Sequence, residues 1–299
     1  MRIPVSIKTP SVTATIVFVF DDNFEIIDNI AGLVGIYKIC KLLGLRFKIN
    51  IVSPFNLTDF LLPNKYDWEI TPQEFAAAVK ENNSFDFFTS GNVLQEALIS
   101  SIKTKSENHK FLIIKSNCLA VSIYEYGQLY DELFQVSEEL RETVDSHLRQ
   151  IGGGFISAAF RFQNLLGDFL EGNHIVLKPY EREILTLRCL EHLEEIHREN
   201  PEKKILIASD SISFLTAAQK SDYVCAILEE IVHLGNPEAK YTDKNVWLRT
   251  FLVYFLLKHS QKIYSVADGL MYDSTFPRFA AMHGKVLFVV KIYTFTYSA

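Results

Sequence analysis

Arg161 carries the sharpest chemical signature in this chain. It is an isolated cation between Phe160 and Phe162, and the segment before it is apolar back to Phe155. A guanidinium in that setting can grip a phosphate through two parallel hydrogen bonds, or it can pair with Asp168 to hold its own loop. Ser274 and Thr275 open a predicted helix, where free backbone N–H groups and the helix dipole favour an anion. Ser274 also fits a plain N-cap. Ser209-Asp210-Ser211 follows another apolar run. Asp210 can accept a hydrogen bond from a sugar or ribose hydroxyl, or it can cap the short helix that follows. His233, in Val232-His233-Leu234-Gly235, is a candidate contact for a nucleotide base, or a histidine of an edge strand or loop.

Other chemistries lack their residues. His192 and His197 lie five apart on a helix and do not form HExxH. Gly152-Gly153-Gly154 lacks the Lys-Ser/Thr of a P-loop and precedes a strand, so it reads as a turn or hinge. No GxSxG marks a serine hydrolase. The four cysteines (Cys40, Cys118, Cys189 and Cys225) are scattered and form no CxxC pair. They build neither a disulfide framework nor a zinc site, and they read as buried thiols of a reducing compartment.

The elements that must place these residues follow from periodicity. Ala14–Phe20 reads as a strand ending at Asp21-Asp22. The helix after it carries Ile30, Leu33, Val34 and Tyr37 on one face and stops at Gly44. Phe47–Val52 and Phe111–Ile114 read as strands. Thr71-Pro72-Gln73-Glu74 is a capping box with proline at the first helical position. The apolar spacing over Tyr126–Gln150 predicts one long helix. Beyond the glycines the alternation becomes regular. Strands at Phe155–Phe160, Ile205–Ala208, Tyr223–Leu228, Ile263–Val266 and Val286–Val290 alternate with helices within Glu181–Arg198, from about Ser213, at Asn245–His259 and from about Ser274. Such a βαβα series predicts a parallel sheet with helices on both faces. Ligands of such sheets bind outside the carboxyl ends of the strands, where Arg161, Ser209, Asp210, Ser274 and Thr275 all fall. A domain boundary is placed near Ile151, giving domains 1–150 and 151–299.

With 299 residues, 48% of them hydrophobic and 22% charged, the chain can bury a large core, so disorder is excluded as its main state. Its net charge of −6 argues against a nucleic-acid partner. No apolar run reaches the roughly 18 residues of a membrane span, and the N-terminus lacks the flanks of a signal peptide. The expectation is a protein without a transmembrane anchor, in the cytoplasm.

Three segments in order then carry a resemblance. Ile156-Ser157-Ala158-Ala159-Phe160-Arg161, followed by Gly167-Asp168, resembles the first signature of the fucosyltransferase superfamily, a strand ending in His-x-Arg with a nearby Gly-Asp. Ile207-Ala208-Ser209-Asp210-Ser211 resembles the second, and Ile263-Tyr264-Ser265 through Asp273-Ser274-Thr275-Phe276 the third. In the first half, Leu57–Pro63 and Tyr66-Asp67-Trp68 are similar to a segment of bacterial members. Ala159 stands where the family has histidine, and five residues separate Arg161 from Gly167 where many members have one or two.

The resemblance implies a GT-B fold: two Rossmann-like α/β domains with parallel sheets flanked by helices, the second binding the donor. It implies inverting, metal-independent transfer of fucose from GDP-fucose to a glycan hydroxyl, with no cofactor. The chain also lacks the Asp-x-Asp metal handle of the other glycosyltransferase fold. By that similarity Arg161 holds the β-phosphate and stabilises the leaving GDP, Ser274 and Thr275 cradle phosphate oxygens, and Asp210, with Ser209, binds near the donor's sugar or ribose. The base stays open among Asp168, Glu171, Asp21 and Asp22. Two alternatives also stay open: another nucleotide-sugar donor on the same fold, and a catalytically silent member that binds nucleotide or glycan.

Overall fold

The computed structural model describes residues 13–21, 25–87, 95–169, 175–229 and 244–294. The first elements are β1 (Thr15–Phe18), α1 (Ile26–Leu43), β2 (Arg46–Ile49), β3 (Leu61–Pro63), α2 (Pro72–Glu81), β4 (Ser84–Phe87), α3 (Gln95–Ser106) and β5 (Phe111–Ser116). Then come α4 (Tyr126–Leu133), β6 (Phe134–Val136), α5 (Glu138–Ile151), β7 (Ile156–Phe160), α6 (Pro179–Glu199), β8 (Ile205–Ser209) and α7 (Ile212–Ala218). The last are β9 (Val224–Ala226), α8 (Lys244–Lys258), β10 (Lys262–Asp268), α9 (Thr275–Gly284) and β11 (Leu287–Tyr293).

The chain forms two compact units, each discontinuous in sequence. One comprises Met1–Asp21, Asn29–Ile51 and Tyr66–Val121; the other comprises Asp22–Asp28, Val52–Lys65 and Ser122–Ala299. Residues 122–150 thus cluster with the second unit, N-terminal of the boundary expected near Ile151.

The first unit is built on a parallel sheet of order β2-β1-β5-β4. The predicted stripe of α1, Ile30, Leu33, Val34 and Tyr37, is buried. Gly32 allows the helix to approach the end of β5, because a Cβ there would meet the Ser116 carbonyl oxygen at 1.8 Å. Gly44 ends α1 at φ +66°, a conformation that costs glycine little. The Thr71–Glu74 capping box forms as expected: the Glu74 N–H donates to Thr71 Oγ1 at 3.2 Å, and the Thr71 N–H donates to Glu74 Oε2 at 3.1 Å.

The second unit carries a five-stranded sheet of order β11-β10-β7-β8-β9, every described pair parallel. From β7 the chain steps outward through β8 and β9, then returns to lay β10 on the other side of β7. That reversal is the topological switch point where open α/β sheets hold ligands. The strands and helices of this half match the expected series to within a few residues.

The single helix expected over Tyr126–Gln150 is two. Phe134 is extended at φ −122° and ψ 136°, β6 pairs antiparallel with β3, and Ser137 caps α5 by accepting from the Leu140 N–H. The apolar spacing runs through the break, so periodicity hides it. Ser137 followed by Glu138-Glu139 is the start signal that marks the second helix.

The second unit also buries a polar knot. His283 lies against the rings of Tyr130, Tyr254 and Phe255. Its Nε2 is 2.8 Å from Asp131 Oδ1 and 2.7 Å from Lys258 Nζ, and its Nδ1 is 3.2 Å from the Tyr254 hydroxyl. Burial lowers its pKa from the ordinary 6.5 to about 4. The unfolded chain therefore binds this proton below pH 6.5 and the folded chain only below about 4. Stability falls as pH drops through that window, by about 3 kcal/mol in all. Urea melts at pH 7 and pH 4.5 are expected to show this loss, and His283→Gln is expected to remove most of it. An equal loss in the variant would assign the acid sensitivity elsewhere.

Candidate functional site

A cavity of about 320 Å³ opens at the carboxyl end of the second unit's sheet, at the switch point, and all its lining residues belong to that unit. From β7 come Ala159, Phe160 and Arg161; from β8, Ala208, Ser209 and Asp210; from β10 and the turn after it, Ser265, Tyr272, Ser274 and Thr275. Glu25 and Asp28 at the start of α1, Gln163 after β7, and Arg249 and Thr250 on α8 complete the polar lining.

Arg161 is held on three sides. Its Nη2 donates to Glu25 Oε1 at 2.7 Å, its Nη1 lies 3.1 Å from Asp210 Oδ2, and the guanidinium sits 5.1 Å from the Phe169 ring centroid. The sharp turn after β7 is fixed by Asp210, whose carboxylate accepts the Phe162 N–H at 2.9 Å and the Gln163 N–H at 2.7 Å. Gln163 takes φ +53° in this turn. Asp210 is almost fully buried, and that burial raises its pKa against the opposing pull of Arg161 and the two N–H groups. Asp210 therefore supports the cation and its loop.

Ser274 caps α9, its Oγ accepting the Phe276 N–H at 3.3 Å. Thr275 Oγ1 donates to Asp28 Oδ1 at 2.7 Å. Burial raises the pKa of Asp28, and nearby Glu25 adds to the shift, while the Thr275 hydrogen bond and Arg161 oppose it. A carboxylate with a raised pKa beside a cation and a helix N-terminus is suited to taking up a proton.

The other expected residues fall elsewhere. Asp168 is not among the lining residues; its Oδ2 accepts from Ser211 Oγ and from the Ser213 N–H, both at 2.8 Å, which ties its loop to the start of α7. Ser211, rather than Asp210, supplies the side-chain cap of that helix. Asp21 is buried in the first unit and pairs with Lys115 at 3.3 Å. His233, Glu171 and Asp22 lie outside the described residues. Glu25, Asp28 and Arg249 are the charged lining residues that the sequence motifs do not mark. Among the described residues no three His, Cys, Asp or Glu side chains gather as a metal site, and no helix is long and apolar enough to cross a membrane.

No protein-family model and no curated protein matches this sequence. Solved structures do match, and they define a class: the chain has the parallel-sheet α/β fold of the GT-B fucosyltransferases. NodZ, an α-1,6-fucosyltransferase from Bradyrhizobium solved after soaking with GDP-fucose, is 13% identical with a TM-score of 0.56, covering 90% of this chain and 92% of its own. POFUT1 in complex with GDP is 12% identical with a TM-score of 0.55, covering 94% of this chain and 98% of its own. A mutant of Arabidopsis thaliana FUT1 in complex with GDP is 10% identical with a TM-score of 0.54, covering 93% of this chain and 70% of its own. The resemblance read from the motifs therefore holds for the fold.

Proposed function

We propose that the chain is a glycosyltransferase that moves fucose from GDP-fucose to a glycan hydroxyl, with inversion and without a metal ion. The observation that carries this reading is the meeting of Arg161, Ser274 and Thr275 in one cavity at the switch point. The GDP and GDP-fucose named with the matching structures agree with it. In the step proposed, the acceptor oxygen bonds to the anomeric carbon as the bond from that carbon to the β-phosphate oxygen breaks. The electron pair leaves on GDP. Arg161 and the positive end of the α9 dipole stabilise the charge that develops there, the work a metal does in other transferases. Asp28 takes the acceptor's proton. His233 keeps its proposed place beside the base, and Ser209 beside the ribose.

Asp28→Asn is expected to lower kcat about 100-fold and to leave GDP affinity nearly unchanged, because the lost step is proton transfer. The acidic limb of the rate–pH profile should vanish with it. A wild-type-like kcat would remove Asp28 from the step. Incubation with GDP-fucose and a glycan panel in EDTA tests the reaction itself, with the anomeric configuration read by NMR. Inverted fucosylated product supports the proposal; turnover only with another nucleotide sugar replaces the donor.

A second reading, a silent member that binds without turnover, is favoured by Ala159 in place of the family's histidine and by Glu25 already engaging Arg161. Tight GDP binding with no transfer to any acceptor would favour it.

A further inference from the structure

Two carboxylates meet the Arg161 guanidinium, and they are held very differently. Asp210 lies 3.1 Å from Nη1 with its side chain 2% exposed. It also accepts the Phe162 and Gln163 N–H groups, so it cannot leave without unmaking the turn after β7. Glu25 accepts from Nη2 at 2.7 Å with its side chain 39% exposed, and it stands one residue before α1 rather than inside an element. Rotation about its own side-chain bonds is enough to release it. Asp210 by itself offsets the charge of the cation, so Glu25 is a second anion on one guanidinium.

The charge on the cavity wall gives that second anion a consequence. Among the described residues the wall carries two guanidinium groups, Arg161 and Arg249, against three carboxyl groups, Glu25, Asp28 and Asp210. A diphosphate brought to Arg161 with Glu25 in place would set two like charges side by side on one cation, and such pairs repel strongly where water is partly excluded. With Glu25 turned away, Nη2 offers a phosphate oxygen the same charge-assisted hydrogen bond that it gives the carboxylate. We infer that Glu25 is a gate on the donor site: its carboxylate holds the place on Arg161 that the β-phosphate takes, and the diphosphate binds by exchange of one anion for the other. This inference rests on the donor-site reading above. The donor's apparent affinity is then reduced in proportion to the fraction of molecules in which Glu25 has released Arg161. A contact closed about 90–99% of the time lowers that affinity about 10- to 100-fold.

The test is calorimetric titration of pyrophosphate and GDP, in EDTA, into the full chain and into Glu25→Gln, Glu25→Ala, Arg161→Ala and the double variant Glu25→Ala/Arg161→Ala. Asp210 stays beside Arg161 in the two single Glu25 variants, so the cation keeps a counter-ion. Glutamine keeps the length of the side chain and loses its charge. Both ligands are expected to bind about 10- to 100-fold tighter once Glu25 is changed either way. In the Arg161→Ala background the same change is expected to return only a small part of that gain, because no contact remains to be released. Unchanged or weaker binding in the Glu25 variants would overturn the inference and make Glu25 a support that positions Arg161. The full gain persisting without Arg161 would also overturn it, leaving general charge repulsion. Binding that appears only after Glu25 is changed supports the gate. Absence of binding in the wild type and in both single Glu25 variants is a different failure, because it removes the donor-site reading and this inference together.

Discussion

Arg161→Ala is expected to reduce transfer about 1,000-fold, the largest catalytic effect of any single change in this chain. The cation's charge matters most when the bond to the leaving diphosphate is nearly broken, so kcat should fall more than substrate affinity. Removing it also strands Asp210, whose buried carboxylate would keep its two N–H donors and lose its cation. Arg161→Lys separates the two losses. Lysine restores charge beside Asp210 but lacks the two-pronged donor geometry, so stability should return while most of the rate loss remains. Recovery of rate by lysine would make Arg161 a support for the loop and remove it from the chemistry.

Asp210→Asn is expected to cost about 3–5 kcal/mol of stability, the largest single loss to folding proposed for this site. The carboxylate is almost fully buried and holds the Phe162 and Gln163 N–H groups and Arg161 at once. An amide offers one acceptor oxygen for two backbone donors and leaves the guanidinium uncompensated, and each of those losses carries the desolvation cost of an unmet polar group. Denaturant unfolding measures it. GDP affinity should fall with stability, because the loop that presents Arg161 loosens. A cost under about 1 kcal/mol would mean that the turn after β7 holds without this carboxylate.

The parts of this account that were legible in the sequence are those written in local pattern. The strands of the second half stand out as short apolar runs, and the rule that ligands bind at their carboxyl ends picked out Arg161, Ser209, Asp210, Ser274 and Thr275, all of which line the cavity. The capping box of α2 and the glycine stop of α1 are equally local. What was missed is long-range. Glu25, just before α1, and Asp28, in its first turn, belong to the second unit, and no spacing rule links them to Arg161, which is 136 residues from Glu25. Arg249 did leave a signal: a lone arginine inside Trp247–Leu257, where nearly every neighbour is apolar and buried. Read as periodicity, that helix is simply hydrophobic; read for charge, it holds a cation that needs a reason. Asp168 was assigned from its motif neighbourhood, and its hydrogen bonds to Ser211 and Ser213 give it instead the task of holding the β7 loop against α7.

The donor site is the centre of the account, and GDP binding tests it most directly. Calorimetric titration of GDP, UDP and ADP into the wild-type chain and Arg161→Ala, in EDTA, is expected to show GDP binding in micromolar terms, about 8 kcal/mol, weaker binding of UDP and ADP, and GDP binding weakened in the variant by less than the fall in its rate. GDP that binds equally well without Arg161, or no binding of any of the three nucleotides, would contradict it.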